Sequence, residues 1–195
     1  MITGLLLAAG GARRFGSQKL VAPYRGATVV EHAARILRGE TDDLIVVVGS
    51  EADAVRRALR EMNAHIVENE RWALGLSTSL RRGVEAVAGD VEAIIVSVGD
   101  QPLLEPAVIR GVAERWRATA KPIVSASYRG VRGHPVLFAR SMFGALAELE
   151  GDAGARLLIE RSGDRVAYVE IDAPMPSDVD TPDDLARLSS QAQRF

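Results

Sequence analysis

The chain has 195 residues, 47% of them apolar, a formal charge of −2 and no cysteine. These figures fit one domain with a substantial core. They exclude disulfides and thiolate metal sites, and they argue against a general nucleic-acid binder, which carries a basic excess. No apolar run approaches the roughly 20 residues that a membrane span needs, and glycines and arginines follow the start too closely for a signal peptide. A soluble cytoplasmic protein with no membrane partner is expected.

Leu5 to Ala8 reads as a short buried strand that runs into a glycine-rich loop. Gly10, Gly11 and Gly16 allow a tight turn and let backbone N–H groups approach a ligand closely. Arg13, Arg14 and Lys19 add cations to the same stretch. A strand ending in exposed amides and positive charge suits a polyphosphate. A turn with solvated arginines is the competing reading; the coincidence with a preceding apolar strand favours the phosphate. The loop is not a Walker A motif: Gly11 to Gly16 has the spacing, but Ser17 and Gln18 follow, and the lysine arrives late. It is not the dinucleotide fingerprint either, because Gly10 and Gly11 are adjacent and Val30 stands where an acid is needed.

Thr28 to Leu37 has helical spacing, with Val29, Ala33, Ile36 and Leu37 on one face, and His32 is read as an ordinary helix residue. Leu44 to Val48 is a continuous β-branched run, the mark of a parallel strand covered on both faces. Glu51 to Met62 reads as a helix and Ala64 to Val67 as a third strand. Glu68 to Leu80 reads as a loop, with Ser77 or Thr78 capping a helix through Arg81 to Val87. Val91 to Val98 is the fourth strand, ending in Gly99-Asp100-Gln101-Pro102. Ligands in open α/β sheets sit outside the carboxyl ends of strands, so Asp100 and the glycine loop are expected at the same edge. A carboxylate there suits Mg2+, a hard cation that binds oxygen ligands and substrate phosphates.

Glu105 to Thr119 reads as a helix, Pro122 to Ser127 as a strand, Tyr128 to Gly133 as a hairpin-like loop and His134 to Phe138 as a further strand. Arg140 to Leu149 looks helical, and a helical run to Glu160 follows Gly151-Asp152. Arg165 to Ile171 is the last strand. Pro182, with Thr181 as cap and acids following, opens a final helix. Of Asp178 and Asp180, only one is expected to face the site. The tail from about residue 190 is polar and expected to fray. There is no internal repeat or low-complexity tract.

The run Leu7-Ala8-Ala9-Gly10-x-x-x-Arg14-Phe15-Gly16-x-x-Lys19 closely resembles the N-terminal signature of nucleotidyltransferases of the glycosyltransferase-A-like fold. Among them it is most similar to the molybdenum cofactor cytidylyltransferases and their guanylyltransferase relatives. The resemblance implies an α/β fold of three layers, α/β/α, around a Rossmann-like, mostly parallel sheet. It implies one nucleotidyltransferase domain over 1–195, binding nucleotide in about 1–105 and acceptor in about 106–195. Leu7, Ala8, Ala9, Gly10, Gly11, Arg14, Gly16 and Lys19 would wrap the nucleotide, with Arg14 and Lys19 on its phosphates. Ala12 departs from the family, which often has Ser there, and removes one hydroxyl donor. Gly75, Ser77 and Ser79 match a segment over the base; an N-cap beside a packed Trp72 is the other reading. Asp100 and Asp180 would bind Mg2+, with Asp178 the fallback. His134, Asp152 and Arg156 match acceptor-side segments, although packing beside Pro135 would also account for His134 and an N-cap role for Asp152.

No Ser-His-Asp or Cys-His arrangement is demanded, and nucleotidyl transfer needs none: positioning, charge neutralisation and metal clamping suffice. The implied reaction joins CMP from CTP to the terminal phosphate of molybdenum-bearing molybdopterin and releases pyrophosphate. In the resembled family Ala9 goes with CTP and glycine with GTP, since a Cβ fills space a purine would use. Implied partners are CTP or GTP, the molybdopterin acceptor, and transiently a molybdoenzyme or its chaperone. A guanylyltransferase, a sugar-phosphate nucleotidyltransferase and a non-catalytic nucleotide binder are the alternatives.

Overall fold

The computed structural model describes residues 1–11, 15, 18–152 and 154–191. Its strands are β1 (Ile2–Ala8), β2 (Pro23–Tyr24), β3 (Ala27–Thr28), β4 (Asp43–Val48), β5 (His65–Glu68), β6 (Ala93–Val98), β7 (Ile123–Tyr128), β8 (Val131–Ala139) and β9 (Val166–Ile171). Its α-helices are α1 (Val29–Gly39), α2 (Ala52–Ala58), α3 (Leu76–Glu85), α4 (Pro106–Thr119), α5 (Phe143–Ala147), α6 (Arg156–Ser162) and α7 (Pro182–Gln191). Seven strands form one sheet in the order β5-β4-β1-β6-β8-β7-β9, and β2 pairs with β3 in a separate hairpin. Every pairing in the large sheet is parallel except those of β8, which runs against β6 and β7.

Alternation along β1 explains the layers. Ile2, Leu6 and Ala8 pack with buried residues of α1, α2 and α4, such as Leu37, Val55 and Ile109. Leu5, Leu7 and Ala9 point to the other face, against Leu80 of α3, Leu146 of α5 and Ile159 of α6. Side chains of opposite parity on one strand face opposite sides, and both sides are covered by helix. The continuous apolar runs of β1, β4 and β6 follow from that burial. The result is the expected three-layer α/β/α fold around a mostly parallel sheet.

Local chemistry sets the boundaries. Thr28 caps α1: its Oγ1 accepts from the Glu31 amide at 3.4 Å, and the Glu31 carboxylate accepts from the Thr28 amide at 2.7 Å. Pro182 opens α7, and Thr181 and Asp184 close the same kind of reciprocal box. His32 is tied to the Tyr24 carbonyl at 2.9 Å, a structural role.

Four sequence expectations need correction. The loop foreseen over 128–133 is mostly strand, because Arg129 (φ 49°) and Gly130 (φ 82°) both take left-handed backbone. That is the geometry of a two-residue turn whose twist matches its strands, so β7 and β8 run up to it. α2 stops at Ala58 rather than Met62. Arg140 to Leu149 is a 3-10 turn followed by the short α5. Neither Ser77 nor Thr78 caps α3; Gly75 holds the N-cap position without a side-chain bond.

Candidate active site

Parallel pairing puts the carboxyl ends of β1, β4 and β6 at one edge of the sheet. Gly10-Gly11, Gly49-Ser50 and Gly99-Asp100 leave from those ends. The reversed β8 is registered with Val136 opposite Val96, so the start of β8, with Gly133 and His134, reaches the same edge. β9 also ends there, and the chain beyond it carries Asp178 and Asp180 back to β6. The Val179 amide donates to the Asp100 carbonyl at 2.9 Å. Its side chain is buried with Tyr24, Val29 and Leu188.

That anchoring overturns the expectation that only one of the two aspartates faces the site. Residues two apart in an extended segment share a face, and Val179 between them takes the core side. Asp180 Oδ1 accepts from Lys19 Nζ at 2.8 Å. Asp178 Oδ1 accepts from Gln101 Nε2 at 2.8 Å.

Two clefts meet along this edge. The first, about 540 Å³, is lined by Leu7, Ala8, Ala9, Gly10 and Gly11 of β1 and its loop, by Lys19, and by Trp72, Gly75 and Ser79 across from them. Lys19 is its sole cation among the described residues. The second, about 570 Å³, has apolar walls from Leu80, Val136 and Phe138 and polar groups from Gln101, His134, Arg156 and Asp178. Leu7, Leu76, Val98 and Asp100 line both. Among the described residues, Asp100 is the one carboxylate the two clefts share.

Lys19 Nζ donates to Asp100 Oδ2 at 2.6 Å as well as to Asp180. Burial works against the Lys19 ammonium, but the two carboxylates outweigh it and hold its pKa above the ordinary lysine value. Burial pushes the Asp178 carboxyl up. Burial also pushes the His134 imidazole down, against weaker opposition from the Val96 carbonyl and the nearby Asp100 and Asp178.

The donor set fits a divalent cation. Two carboxylate oxygens, from Asp100 and Asp180, converge on one point that a positive charge already occupies. Hard oxygen ligands of this kind suit Mg2+ or Mn2+ bound with substrate phosphates. Among the described residues no cluster of three or more His, Cys, Asp or Glu is assembled for a metal, so further ligands would come from substrate.

Several foreseen residues lie elsewhere than expected. Ser77 is fully buried, and among the described residues its hydroxyl has no partner and it lines neither cleft. Asp152 lines the first cleft rather than the second, and its Oδ1 accepts from the Leu76 amide at 3.3 Å. It therefore serves the start of α3, not of the helix that follows it. Arg14 and Gly16, together with Ala12, Arg13 and Ser17, lie outside the described residues.

Sequence reasoning missed the supporting amides. Gln18 is buried and its Nε2 donates to the Ser50 carbonyl at 2.8 Å, fastening the chain beyond the glycine loop to the end of β4. Asn69 holds the start of α3, and Asp184 accepts from the Asp180 amide at 3.2 Å. An isolated amide or acid carries no spacing pattern, so no periodicity reveals it.

The MobA-like NTP transferase domain matches residues 4–166 of this chain. Nicotine blue oxidoreductase from Paenarthrobacter nicotinovorans is 33% identical, with 96% of each chain covered. Molybdenum cofactor cytidylyltransferase from Escherichia coli K12 is 25% identical over 92% of this chain and 91% of its own. The crystal structure of Rv0371c from Mycobacterium tuberculosis H37Rv superposes with a TM-score of 0.87 at 36% identity, covering 97% of both chains. The same protein in complex with manganese gives 0.83 at 35% identity, covering 97% of this chain and 98% of its own. No helix among the described residues is long and apolar enough to cross a membrane. By its domain match and these relatives, the chain belongs to the MobA-like NTP transferase family.

Proposed function

We propose that the protein transfers CMP from CTP to the terminal phosphate of a molybdopterin-type acceptor and releases pyrophosphate. One observation carries this reading: Asp100 lines two adjoining clefts of about 570 and 540 Å³ at once, with Lys19 held against it. Transfer between two substrates needs a shared point, and the charge that develops there must be neutralised. The reading treats 1–195 as a single domain, with nucleotide contacts mainly from the first half and acceptor contacts mainly from the second.

Each residue then has a task. Gly10 and Gly11 offer backbone amides to the triphosphate, and Lys19 neutralises it; Arg14 and Gly16 are assigned to it by motif. Asp100 and Asp180 would hold Mg2+, as a relative's manganese complex supports. When bound, such a cation polarises the phosphoryl group and steadies the leaving oxygens. An acceptor phosphate oxygen forms a bond to the α-phosphorus while the bond to pyrophosphate breaks. A phosphate monoester is nucleophilic at neutral pH, so no strong base is required. Arg156 lines the acceptor cleft and forms no ion pair among the described residues, which suits an anionic acceptor. His134 lines the same cleft and would face the acceptor, while Asp152 would steady α3 at the boundary between the clefts. Ala9 on the nucleotide cleft favours CTP over GTP by its bulk.

The experiment is pyrophosphate release with CTP, GTP, UTP and ATP and Mg2+, with and without a molybdopterin acceptor. Release with CTP and acceptor alone supports the reading, and GTP dependence would move it to guanylyl transfer. Nucleotide binding without release would favour a non-catalytic binder, or the redox chemistry for which the Paenarthrobacter relative is named.

A further inference from the structure

Two glycines that follow neighbouring strands share one neighbour, the indole of Trp72. Trp72 starts a 3-10 turn, Trp72–Leu74. Its amide donates to the Asn69 carbonyl at 3.3 Å, and the Asn69 amide donates to the Val48 carbonyl at the end of β4 at 2.8 Å. The root of the side chain sits on Gly49: a Cβ added there would lie 2.6 Å from Trp72 Cβ and 2.8 Å from Trp72 Cγ. The far edge of the ring reaches Gly11, where an added Cβ would lie 3.0 Å from Cζ3 and 3.3 Å from Cη2. Neither glycine takes left-handed backbone, so space rather than conformation limits a side chain at both.

The glycine loop is also tied by hydrogen bonds to the end of β4. The Ser50 amide donates to the Ala9 carbonyl at 3.0 Å, and Gln18 Nε2 donates to the Ser50 carbonyl at 2.8 Å. These ties fall before and after Gly10-Gly11. At Gly11 itself the ring edge is the nearest support, and the next atom an added Cβ would meet is Ser50 Oγ at 3.8 Å. A rigid ring packed against backbone limits where that backbone can go. A backbone already in place is not ordered again when ligand binds.

We infer that Trp72 is a positioning residue for the triphosphate: its ring backs Gly11 and holds the amides of the glycine loop where the phosphates bind. The ring edge lies at the loop, so its task belongs to the phosphate end of the ligand and needs no stacking on the base. The same residue joins the loop to α3, because the Gly75 amide donates to the Trp72 carbonyl at 3.2 Å and Gly75 holds the N-cap position of α3. The inference rests on the nucleotide reading of this cleft given above.

The test measures CTP and inorganic tripolyphosphate binding by calorimetry, with Mg2+ present, for wild type, Trp72→Leu, Gly11→Ala and the double variant. Trp72→Leu keeps carbon beside Gly49 and removes the ring edge beside Gly11. It is expected to weaken both ligands by the same factor, about tenfold, the order of cost of fixing one residue's backbone anew on binding. Gly11→Ala should weaken both as well, because its methyl meets the ring. The double variant should bind no more weakly than Trp72→Leu, because the methyl then enters space the ring has left. A general loosening of the protein would instead multiply the losses, and that overturns the inference. So does a Trp72→Leu loss confined to CTP, the mark of a ring that serves the base, and so does no loss at all. The chain has two tryptophans, so Trp116→Phe leaves Trp72 as the sole indole emitter. Tripolyphosphate should shift the emission of that protein; a shift with CTP alone overturns the inference, and this readout decides where Trp72→Leu gives no folded transition. A wild-type protein that binds neither ligand would overturn the nucleotide reading and the inference with it, whereas every other failure leaves wild-type binding intact and strikes the inference alone.

Discussion

Lys19 Nζ stands 2.6 Å from Asp100 Oδ2, at the junction of the two clefts, and its side chain is only 11% exposed. The same ammonium reaches Asp180 at 2.8 Å. One cation thus joins residues from the glycine loop, the end of β6 and the segment after β9. Lys19→Met should cost on the order of 1–3 kcal/mol, less than a fully buried pair because both acids keep some contact with water. The folded protein holds the Lys19 proton more tightly than the unfolded chain does. Its contribution is therefore complete below about pH 10.5, the ordinary lysine value, and fades as pH climbs through the higher folded value. Urea unfolding across pH 8 to 12 checks this (roughly the window in which lysine titrates). An alkaline loss as steep in Lys19→Met as in wild type would contradict it.

Asp100→Asn keeps the size of the side chain and removes its charge. Turnover should fall on the order of 100-fold or more, as for loss of a principal electrostatic contact in a transferase site. The Val179 amide bonds to the Asp100 backbone carbonyl, so the fold should survive. Pyrophosphate release alongside circular dichroism measures both; near-wild-type turnover in a folded variant would refute the assignment.

The sheet and its layers were legible because parallel strands advertise themselves as apolar runs: Leu44 to Val48 and Ala93 to Val96 are buried on both faces. The glycine loop and Asp100 were legible because both follow such strands. What stayed hidden depends on contacts distant in sequence. That Asp152 bonds the start of α3, 76 positions earlier, leaves no local trace. The joint placement of Asp178 and Asp180 was within reach of simple alternation, with Val179 as the core-facing residue between them, and was misjudged. The fully buried Ser77 shows the opposite failure: a small hydroxyl in a binding-like motif that is enclosed by the protein rather than open to a cleft.

Gly75→Ala tests the boundary between the clefts. Gly75 has φ +112°, a backbone that L side chains rarely adopt, and an added Cβ would lie 2.8 Å from the Gly151 carbonyl oxygen and 2.9 Å from Asp152 Cα. Both obstacles are backbone, so no side chain can swing aside. The cost should be on the order of 1–3 kcal/mol, and CTP affinity should drop because Asp152 and α3 move together. Thermal melting and CTP titration read the two effects. A variant that melts with wild type would show that the two segments do not press on each other.

His134 offers a pH test in the opposite direction from Lys19. It lines the second cleft, its Nδ1 lies 3.4 Å from the Val96 carbonyl, and burial holds its imidazole below the ordinary value of 6.5. The unfolded chain takes up this proton near pH 6.5, while the folded protein takes it up only at lower pH. Between those two values the unfolded state binds more protons, so stability rises with pH there and falls on acidification. The slope from one such group is at most about 1.4 kcal/mol per pH unit. His134→Gln keeps a polar side chain and cannot titrate, so the difference between the two proteins isolates this residue from every other acid-sensitive group. Wild type should lose stability faster than the variant as pH drops below 6.5, and the two curves should run parallel above it. Curves that stay parallel on both sides would mean that His134 is as free to take a proton in the folded protein as in the unfolded chain.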